Sequence, residues 1–262
     1  MSDNVPSADT ITFLGTAGAR FMVTRQLAAS GGLWLNLGGT EILVDPGPGS
    51  IVQSTKRKLK ADKLSAIIVS HRHLDHSADV NIMVEAMTNG GFDQHGWLFA
   101  PADALGTEPV IFSYLKDFIE GIVVLKEGES YKIGDISFST PVRHMHPVET
   151  YGMIFQTPRH TFAYITDSQY FDGLCQNYAT DLIIINTVLL EPKLSVAHLS
   201  IPEAAHIINE IKPKVAILNH FGMGVWQAKP WEIAESLSHE TGIRVIAASD
   251  GMKFDLSQLD DR

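Results

Sequence analysis

Short apolar runs along this chain alternate with segments in which apolar residues recur at helical spacing. Leu64-Ser65-Ala66-Ile67-Ile68-Val69 is one such run, and its β-branched residues are typical of a buried strand. Val80, Met83, Val84 and Met87 recur at helical spacing, which predicts a helix that ends at Gly90-Gly91. The same reasoning predicts strands at residues 10–14, 32–37, 41–45, 64–69, 136–140, 152–156, 161–166, 182–186, 215–218 and 244–248.

The second half of the chain has stronger helix signals. Ser200 and Glu203 have the spacing of a capping box, which predicts a helix that ends near Lys212-Pro213. A further helix is predicted at about 230–240, and residues 91–134 are less regular, with only a helix near 111–119. Each half of the chain has strands first and helices afterwards. This order predicts one α+β domain over residues 1–262, in which two sheets pack face to face with helices outside.

A cluster of possible metal ligands, His71-Arg72-His73-Leu74-Asp75-His76, directly follows the buried strand at 64–69. In an extended segment residues i and i+2 share a face, so His71 and His73 point together, whereas Asp75 and His76 follow at a turn. Imidazole nitrogen and carboxylate oxygen suit zinc, and also manganese or iron. Two ions about 3.5–4 Å apart would use all four side chains. The alternative interpretation is a solvated histidine-rich loop.

Other candidate ligands also follow predicted strands. Asp167 and His220 come directly after apolar runs, where a carboxylate or an imidazole can reach a shared edge of the sheets. His144 and His146 lie between two strands, and spacing alone does not choose between them. His95 and Trp97 could line a pocket, but ordinary packing is the preferred interpretation.

Composition narrows the classes of function. The 262 residues are 45% hydrophobic and 19% charged, which gives ample core, and no apolar run approaches the roughly 20 residues of a membrane helix. Met1-Ser2-Asp3-Asn4 lacks the features of a signal peptide, and the single Cys175, interpreted as a buried structural thiol, fits a reducing cytoplasm. The net charge of −10 makes nucleic acid an unfavourable partner. We therefore expect a cytoplasmic protein with a small-molecule substrate.

Several segments together resemble a known family. The chain is similar to the metallo-β-lactamase fold superfamily, within it to the RNase Z-like phosphodiesterase branch, and the resemblance covers nearly the whole sequence. The fold that it implies is a four-layer αββα sandwich with a dinuclear metal site at the sheet edge. The matching segments are Phe13-Leu14-Gly15-Thr16, Leu43-Val44-Asp45-Pro46-Gly47, His71–His76, His146–Gly152, Thr166-Asp167, His198-Leu199-Ser200, Leu218–Phe221 and Ser249-Asp250-Gly251-Met252.

The resemblance also implies a role for each ligand and chooses His146 over His144, which becomes a neighbouring pocket or surface residue. It implies two divalent metal ions, zinc first, with Mn²⁺ or Fe²⁺ as alternatives. Asp45 would accept an N–H from a ligand histidine and fix its ring. One ion would be held by His71, His73 and His146, the other by Asp75, His76 and His220, and Asp167 would bridge them.

The implied activity is phosphodiester hydrolysis by a metal-bridging hydroxide. Asp75 and His198 are the implied catalytic residues, with His198 as proton donor to the leaving alkoxide. Members that process tRNA carry a long arm between the segments that match His146 and Asp167, and here two predicted strands and a turn fill that interval. A small or cyclic phosphodiester is therefore the expected substrate, and tRNA 3′ processing is less favoured.

Three other interpretations compete. A lactone, thioester or β-lactam hydrolase would use the same metals, and the His198-Leu199-Ser200 element disfavours it. A binding protein on a relic fold would be expected to have lost a ligand, whereas all seven are present. An oxygen-reducing di-iron protein would normally carry a flavin domain. The resemblance also allows a homodimer, by analogy alone.

Overall fold

Fourteen strands form two sheets in the computed structural model, which describes residues 8–260. The residues that argued against a signal peptide, Met1–Asn4, lie outside this range. The strands are β1 Thr10–Phe13, β2 Leu33–Leu37, β3 Thr40–Val44, β4 Leu64–Ile68, β5 Trp97–Pro101, β6 Gly121–Leu125, β7 Glu129–Ile133, β8 Ile136–Thr140, β9 Met153–Gln156, β10 Thr161–Ile165, β11 Leu182–Asn186, β12 Val215–Asn219, β13 Arg244–Ala247 and β14 Lys253–Asp255.

In the described part of the chain eight α-helices accompany the strands, and several of them are only one or two turns long. They are α1 Ala19–Arg25, α2 Ser50–Lys56, α3 Leu74–Ser77, α4 Val80–Met87, α5 Leu174–Asn177, α6 Ile201–Ile211, α7 Met223–Gln227 and α8 Pro230–Thr241. The predicted capping box is present at the start of α6, where Ser200 and Glu203 bond reciprocally. Within residues 8–260, no helix has both the length and the apolar character that crossing a membrane requires.

The two sheets have the same plan. Sheet 1 has the order β14-β1-β2-β3-β4-β5-β6, and sheet 2 has the order β13-β12-β11-β10-β9-β8-β7. In each sheet antiparallel strands are followed by four neighbouring strands that run parallel to one another. Because parallel strands end at the same edge, each sheet presents several strand ends on one side.

Three apolar layers hold the fold together. The central layer lies between the sheets, where Phe13 and Leu35 of sheet 1 and Phe155 and Phe162 of sheet 2 are all buried. Helix α4 packs on the outer face of sheet 1, and helices α6 and α8 pack on that of sheet 2. The predicted α+β, four-layer αββα sandwich is confirmed.

Some local predictions are wrong. Residues 91–134 contain the strands β5, β6 and β7 rather than irregular chain, and residues 111–119 contain a 3₁₀ helix at Ser113–Phe118 instead of an α-helix. Strand β7 is mostly exposed, so its sequence lacks the apolar alternation that marks a strand. The segment Arg244–Ala247 does not close the chain, because β14 follows it and pairs antiparallel with β1.

Candidate metal centre

The candidate ligands converge because they follow strands that end at one edge of the sandwich. His71 and His73 follow β4 in sheet 1, whereas Asp167 and His220 follow β10 and β12 in sheet 2. His146 lies in the connection between β8 and β9. The two sheets face each other, so these strand ends bring side chains from both halves of the chain to one place.

A first cluster consists of three imidazoles, from His71, His73 and His146. The Nδ1 atom of His73 lies 3.1 Å from the Nε2 atom of His71 and 3.1 Å from the Nε2 atom of His146. Three nitrogen ligands about 2.0–2.1 Å from one tetrahedral zinc ion would lie about 3.3–3.4 Å apart. The spacing therefore suits a cation between the three rings.

A second cluster consists of Asp75, His76, Asp167 and His220. Asp167 lies between its rings, with Oδ2 3.4 Å from His76 Nε2 and Oδ1 3.5 Å from His220 Nε2. The Oδ2 atom of Asp75 lies 3.5 Å from His220 Nε2. The Oδ2 atom of Asp167 also lies 3.9 Å from His71 Nε2, so this carboxylate reaches the first cluster as well.

Hydrogen bonds behind the rings fix which nitrogen faces the centre. The Nδ1–H of His76 donates to Asp45 Oδ2 at 2.9 Å, and the Nδ1–H of His146 donates to the Ala197 carbonyl at 2.9 Å. The Nδ1 atom of His71 lies 3.0 Å from Ser70 Oγ, which itself donates to Asp45 Oδ2 at 2.7 Å. Each of these rings therefore turns its Nε2 atom toward the centre, where that atom can bind a metal once it is deprotonated.

Asp45 is the centre of the hydrogen bonds behind the histidine rings. Its carboxylate also accepts the Ser70 N–H at 2.6 Å and the Tyr164 hydroxyl at 3.0 Å, and its backbone has a left-handed φ of 53°. Two residues further on, a Cβ at Gly47 would lie 2.1 Å from the Asp75 carbonyl oxygen, so only glycine allows this close approach. The expectation that Asp45 orients a ligand histidine agrees with these contacts.

The charge environment divides the centre into two parts. Burial lowers the pKa of His71 well below its usual value and that of His146 to about 4, so both rings are neutral. Burial also lowers the pKa of His76, but the carboxylates Asp167, Asp45 and Asp75 outweigh it and hold that pKa well above the usual value. Neutral imidazoles bind metals, and the concentrated negative charge around His76 favours a cation.

Unpaired buried atoms point to the same conclusion. Among residues 8–260, His76 Nε2, Asp167 Oδ2, His198 Nδ1 and His220 Nε2 are buried without a hydrogen-bond partner. Each unpaired buried polar atom costs about 1–3 kcal/mol. Cations would remove that cost at the three atoms that belong to the second cluster, on His76, Asp167 and His220, so the donor set fits the two predicted ions. The role of the seven side chains as ligands stays a prediction.

His198 lies beside Asp167 without belonging to either cluster. Its Nδ1 atom is 3.3 Å from Asp167 Oδ2, and its ring stacks edge-on against His146 with 5.3 Å between centroids. The side chain is 16% exposed, which leaves it open to a molecule that enters the centre. This position suits a residue that contacts substrate, as the sequence analysis expects.

Two other histidines differ from the candidate ligands. His144 was expected in the pocket or on the surface, and that expectation is wrong, because it is buried behind the centre. Its Nδ1–H donates to the Asp167 carbonyl at 3.2 Å, and its Nε2 accepts the Tyr178 hydroxyl at 2.8 Å. His95 precedes β5 and therefore lies at the opposite edge of sheet 1, where it contacts Asp93.

We expect Tyr178→Phe to lower the free energy of unfolding by about 1–3 kcal/mol, because it leaves His144 Nε2 buried without a partner. Urea denaturation of the metal-free protein measures this loss. Tyr170→Phe is the matched control, since Tyr170 makes the same kind of bond to His206 near the surface at 2.9 Å. Equal losses of unfolding free energy in the two variants would show that burial of the His144–Tyr178 pair does not increase the effect.

Sequence reasoning missed parts of this centre. Asn186 ends β11 and donates from Nδ2 to Asp167 Oδ1 at 2.9 Å, so the rule of strand ends that found Asp167 would have found Asn186 too. The Ala197 carbonyl carries no signal in the sequence, because any residue supplies one.

Comparison with known proteins gives one family and several similar folds. Residues 40–221 match the family described as a beta-lactamase superfamily domain. An uncharacterized protein from Methanocaldococcus jannaschii is 32% identical over an alignment of 254 residues, and the alignment covers 94% of this chain and 94% of that protein.

Two solved structures illustrate the fold. A diphosphatase from the PhnP family has a TM-score of 0.71 at 20% identity, over 95% of this chain and 97% of its own. The short form of human tRNase Z has a TM-score of 0.66 at 19% identity, over 94% of this chain and 98% of its own. At these identities the likeness concerns the fold.

Proposed function

The chain belongs to the metallo-β-lactamase fold superfamily, and from this premise we propose that it is a metal-dependent phosphodiesterase with two ions in its centre. The substrate is a small or cyclic phosphodiester. The main support for the proposal is the position of Asp167, whose carboxylate lies between two sets of imidazoles and beside His198. The family assignment made from the sequence is confirmed, whereas the substrate class is the proposal.

The ligand sets follow the two clusters. His71, His73 and His146 would hold one ion, Asp75, His76 and His220 the other, and Asp167 would bridge them. When bound, divalent cations lower the pKa of a coordinated water toward neutrality and neutralise charge on a phosphate. Zinc is the first candidate, and nitrogen-rich sites with carboxylates also suit Mn²⁺ and Fe²⁺.

Two residues of the chain would act on protons. Burial raises the pKa of Asp75, but His76 and His220 outweigh it and lower that pKa, so Asp75 is a carboxylate that can accept a hydrogen bond from an attacking water. His198 lies next to the bridge and remains partly exposed, so it can donate an N–H to the leaving oxygen. Departure of an alkoxide requires such a donor, whereas departure of a thiolate requires it much less.

The size of the substrate follows from what lies between His146 and Asp167. Strands β9 and β10 fill this interval and are joined directly by residues 157–160. This part of the chain therefore has no inserted arm that could grip a tRNA. Together with the net charge of −10, the short connection supports a small substrate rather than a structured RNA. Solved structures that share the fold include a diphosphatase and a tRNase Z.

We expect the metal-loaded protein to hydrolyse bis(p-nitrophenyl) phosphate and cyclic nucleotides in preference to the other substrates of this fold. The panel sets them against a lactone, a thioester, a chromogenic cephalosporin and a precursor tRNA, each with Zn²⁺, Mn²⁺ and Fe²⁺. Asp167→Asn, purified in parallel, controls for contaminating phosphodiesterases. Turnover of the lactone, thioester or cephalosporin alone would overturn the proposal. Salt-sensitive 3′ processing of the tRNA would replace the small substrate with RNA.

A further inference from the structure

The backbone of His220 adopts a conformation that its neighbours must hold in place. Its φ is 58°, in the left-handed region that non-glycine residues rarely adopt. Such a conformation persists only where surrounding contacts determine it. Here the Phe221 N–H donates to the Thr16 carbonyl at 2.8 Å, and the Gly18 N–H donates to the Phe221 carbonyl at 2.9 Å. The loop at residues 15–18 therefore fixes the backbone turn that carries the His220 side chain.

The contact between this loop and His220 leaves no free space. A Cβ added at Gly18 would lie 2.1 Å from the His220 carbonyl oxygen and 2.7 Å from a carbon of its ring. A parallel bridge joins Ala17 to Phe221. Any displacement of the loop would therefore move the His220 ring, and with it the Nε2 atom that faces Asp75 and Asp167.

One carboxylate from the far end of the chain holds the loop. The Oδ1 atom of Asp250 accepts the Thr16 N–H at 3.0 Å and the Thr16 hydroxyl at 2.8 Å. Its Oδ2 atom accepts the Ala29 N–H at 2.7 Å, and the Ala29 carbonyl in turn accepts the Ala17 N–H at 3.0 Å. Hydrogen bonds to an ionised group are about twice as strong as neutral ones.

We propose that Asp250 and Thr16 form a positioning pair that sets the His220 ring for the second metal ion. The pair contacts no ligand atom, and it acts through the Phe221 backbone, which Thr16 holds. This inference rests on the proposed two-metal function, because it assigns the pair to one of the two clusters. The Thr16 contacts lead through Phe221 to His220, a member of the second cluster, and the hydrogen bonds of the pair reach none of His71, His73 and His146 directly. We therefore assign the pair to the second cluster.

A merely structural role would give a different result. If the pair only stabilised the fold, its removal would lower the unfolding temperature and leave the affinities of both clusters for metal unchanged. If the pair positions His220, its removal lowers the affinity of the second cluster for metal and leaves that of the first cluster unchanged. Residues that orient a ligand from behind typically change metal affinity by about 10–100-fold. The measurement that separates these roles is therefore binding of metal to each cluster in turn.

The test titrates metal-free protein with Zn²⁺ in competition with a chromophoric chelator, and with Co²⁺ to follow the absorption of each site. Asp250→Asn is expected to weaken one binding step by about 10–100-fold and to leave the other unchanged. Thr16→Val, which keeps the backbone bond to Asp250 and loses the hydroxyl bond, is expected to weaken the same step by less. Asp255→Asn is the matched control, since that carboxylate accepts the Ser257 N–H at 2.9 Å and has no contact with the loop.

The inference would be overturned if the affinities of both metal-binding steps were unchanged in both variants. It would also be overturned if both steps were weakened equally. If Asp250→Asn fails to fold, Thr16→Val decides by the same criterion. A wild-type protein that shows only one binding step would overturn the two-metal proposal itself. A wild-type protein with two steps and an unaffected Asp250→Asn would overturn only the positioning pair.

Discussion

Replacing Asp167 with alanine is expected to reduce the metal content from about two ions per chain to less than one, and kcat by about 10³-fold or more. Among residues 8–260, Asp167 is the carboxylate that lies within 4 Å of both clusters, 3.9 Å from His71 Nε2 and 3.4 Å from His76 Nε2. Its removal leaves both clusters without the negative charge that they share. The two cations would then repel each other without compensation.

Elemental analysis of the purified variant measures the metal content, and hydrolysis of bis(p-nitrophenyl) phosphate measures the activity. Asp167→Asn is the more specific variant. Its amide oxygen can still accept the Asn186 Nδ2–H, which in the wild-type protein bonds to Oδ1 at 2.9 Å. Asp181→Ala is the control, since that exposed carboxylate pairs with Lys214 at 3.2 Å and precedes β11, at the opposite edge. Full occupancy in Asp167→Ala would rule out the bridge.

Replacing His198 with alanine is expected to lower kcat by about 10²–10⁴-fold on a substrate with an alkoxide leaving group and to leave the metal content unchanged. The ring belongs to neither cluster, although its Nδ1 atom lies 3.3 Å from Asp167 Oδ2. General acids matter most where the leaving group is a strong base. The loss should therefore be much smaller on a p-nitrophenyl ester, whose leaving group needs little protonation.

The contrast between the two substrates identifies the role of His198. Steady-state kinetics on a cyclic nucleotide and on bis(p-nitrophenyl) phosphate, with metal content measured for each preparation, supply the comparison. His206→Ala controls for loss of an exposed histidine that hydrogen-bonds Tyr170 outside the centre. Equal losses on both substrates would make His198 a phosphate-binding or structural group. Loss of metal would show that the ligand assignment is wrong.

The centre was largely predictable because its chemistry lies at strand ends. A strand followed by histidine or aspartate can be recognised locally, and parallel strands that end at one edge bring such residues together. This reasoning located His71, His73, Asp75, His76, Asp167 and His220. It left His144 and His146 equivalent, because two residues of the same type two positions apart differ only in which one faces the centre.

The remaining features depend on contacts between residues that are distant in sequence. The bonds from Asp250 to Thr16 link opposite ends of the chain, and no local pattern reveals them. The strand β14 has only three residues and exists because β1 offers it an edge. Strand β6 was missed although Gly121–Leu125 is a clear apolar run.

The origin of the ligands on both sheets has a consequence for the order of folding. Contacts between residues far apart in sequence close late, since the entropy of the intervening chain must be lost first. Apart from β14, which pairs with β1 from the other end of the chain, each sheet consists of strands from one continuous part of the sequence, but the complete set of ligands exists only after the two sheets have docked. Because metal binding adds its free energy to the docked state alone, it would consolidate the last step of folding rather than initiate it. A chain that carries both ions would thus be one whose folding is complete.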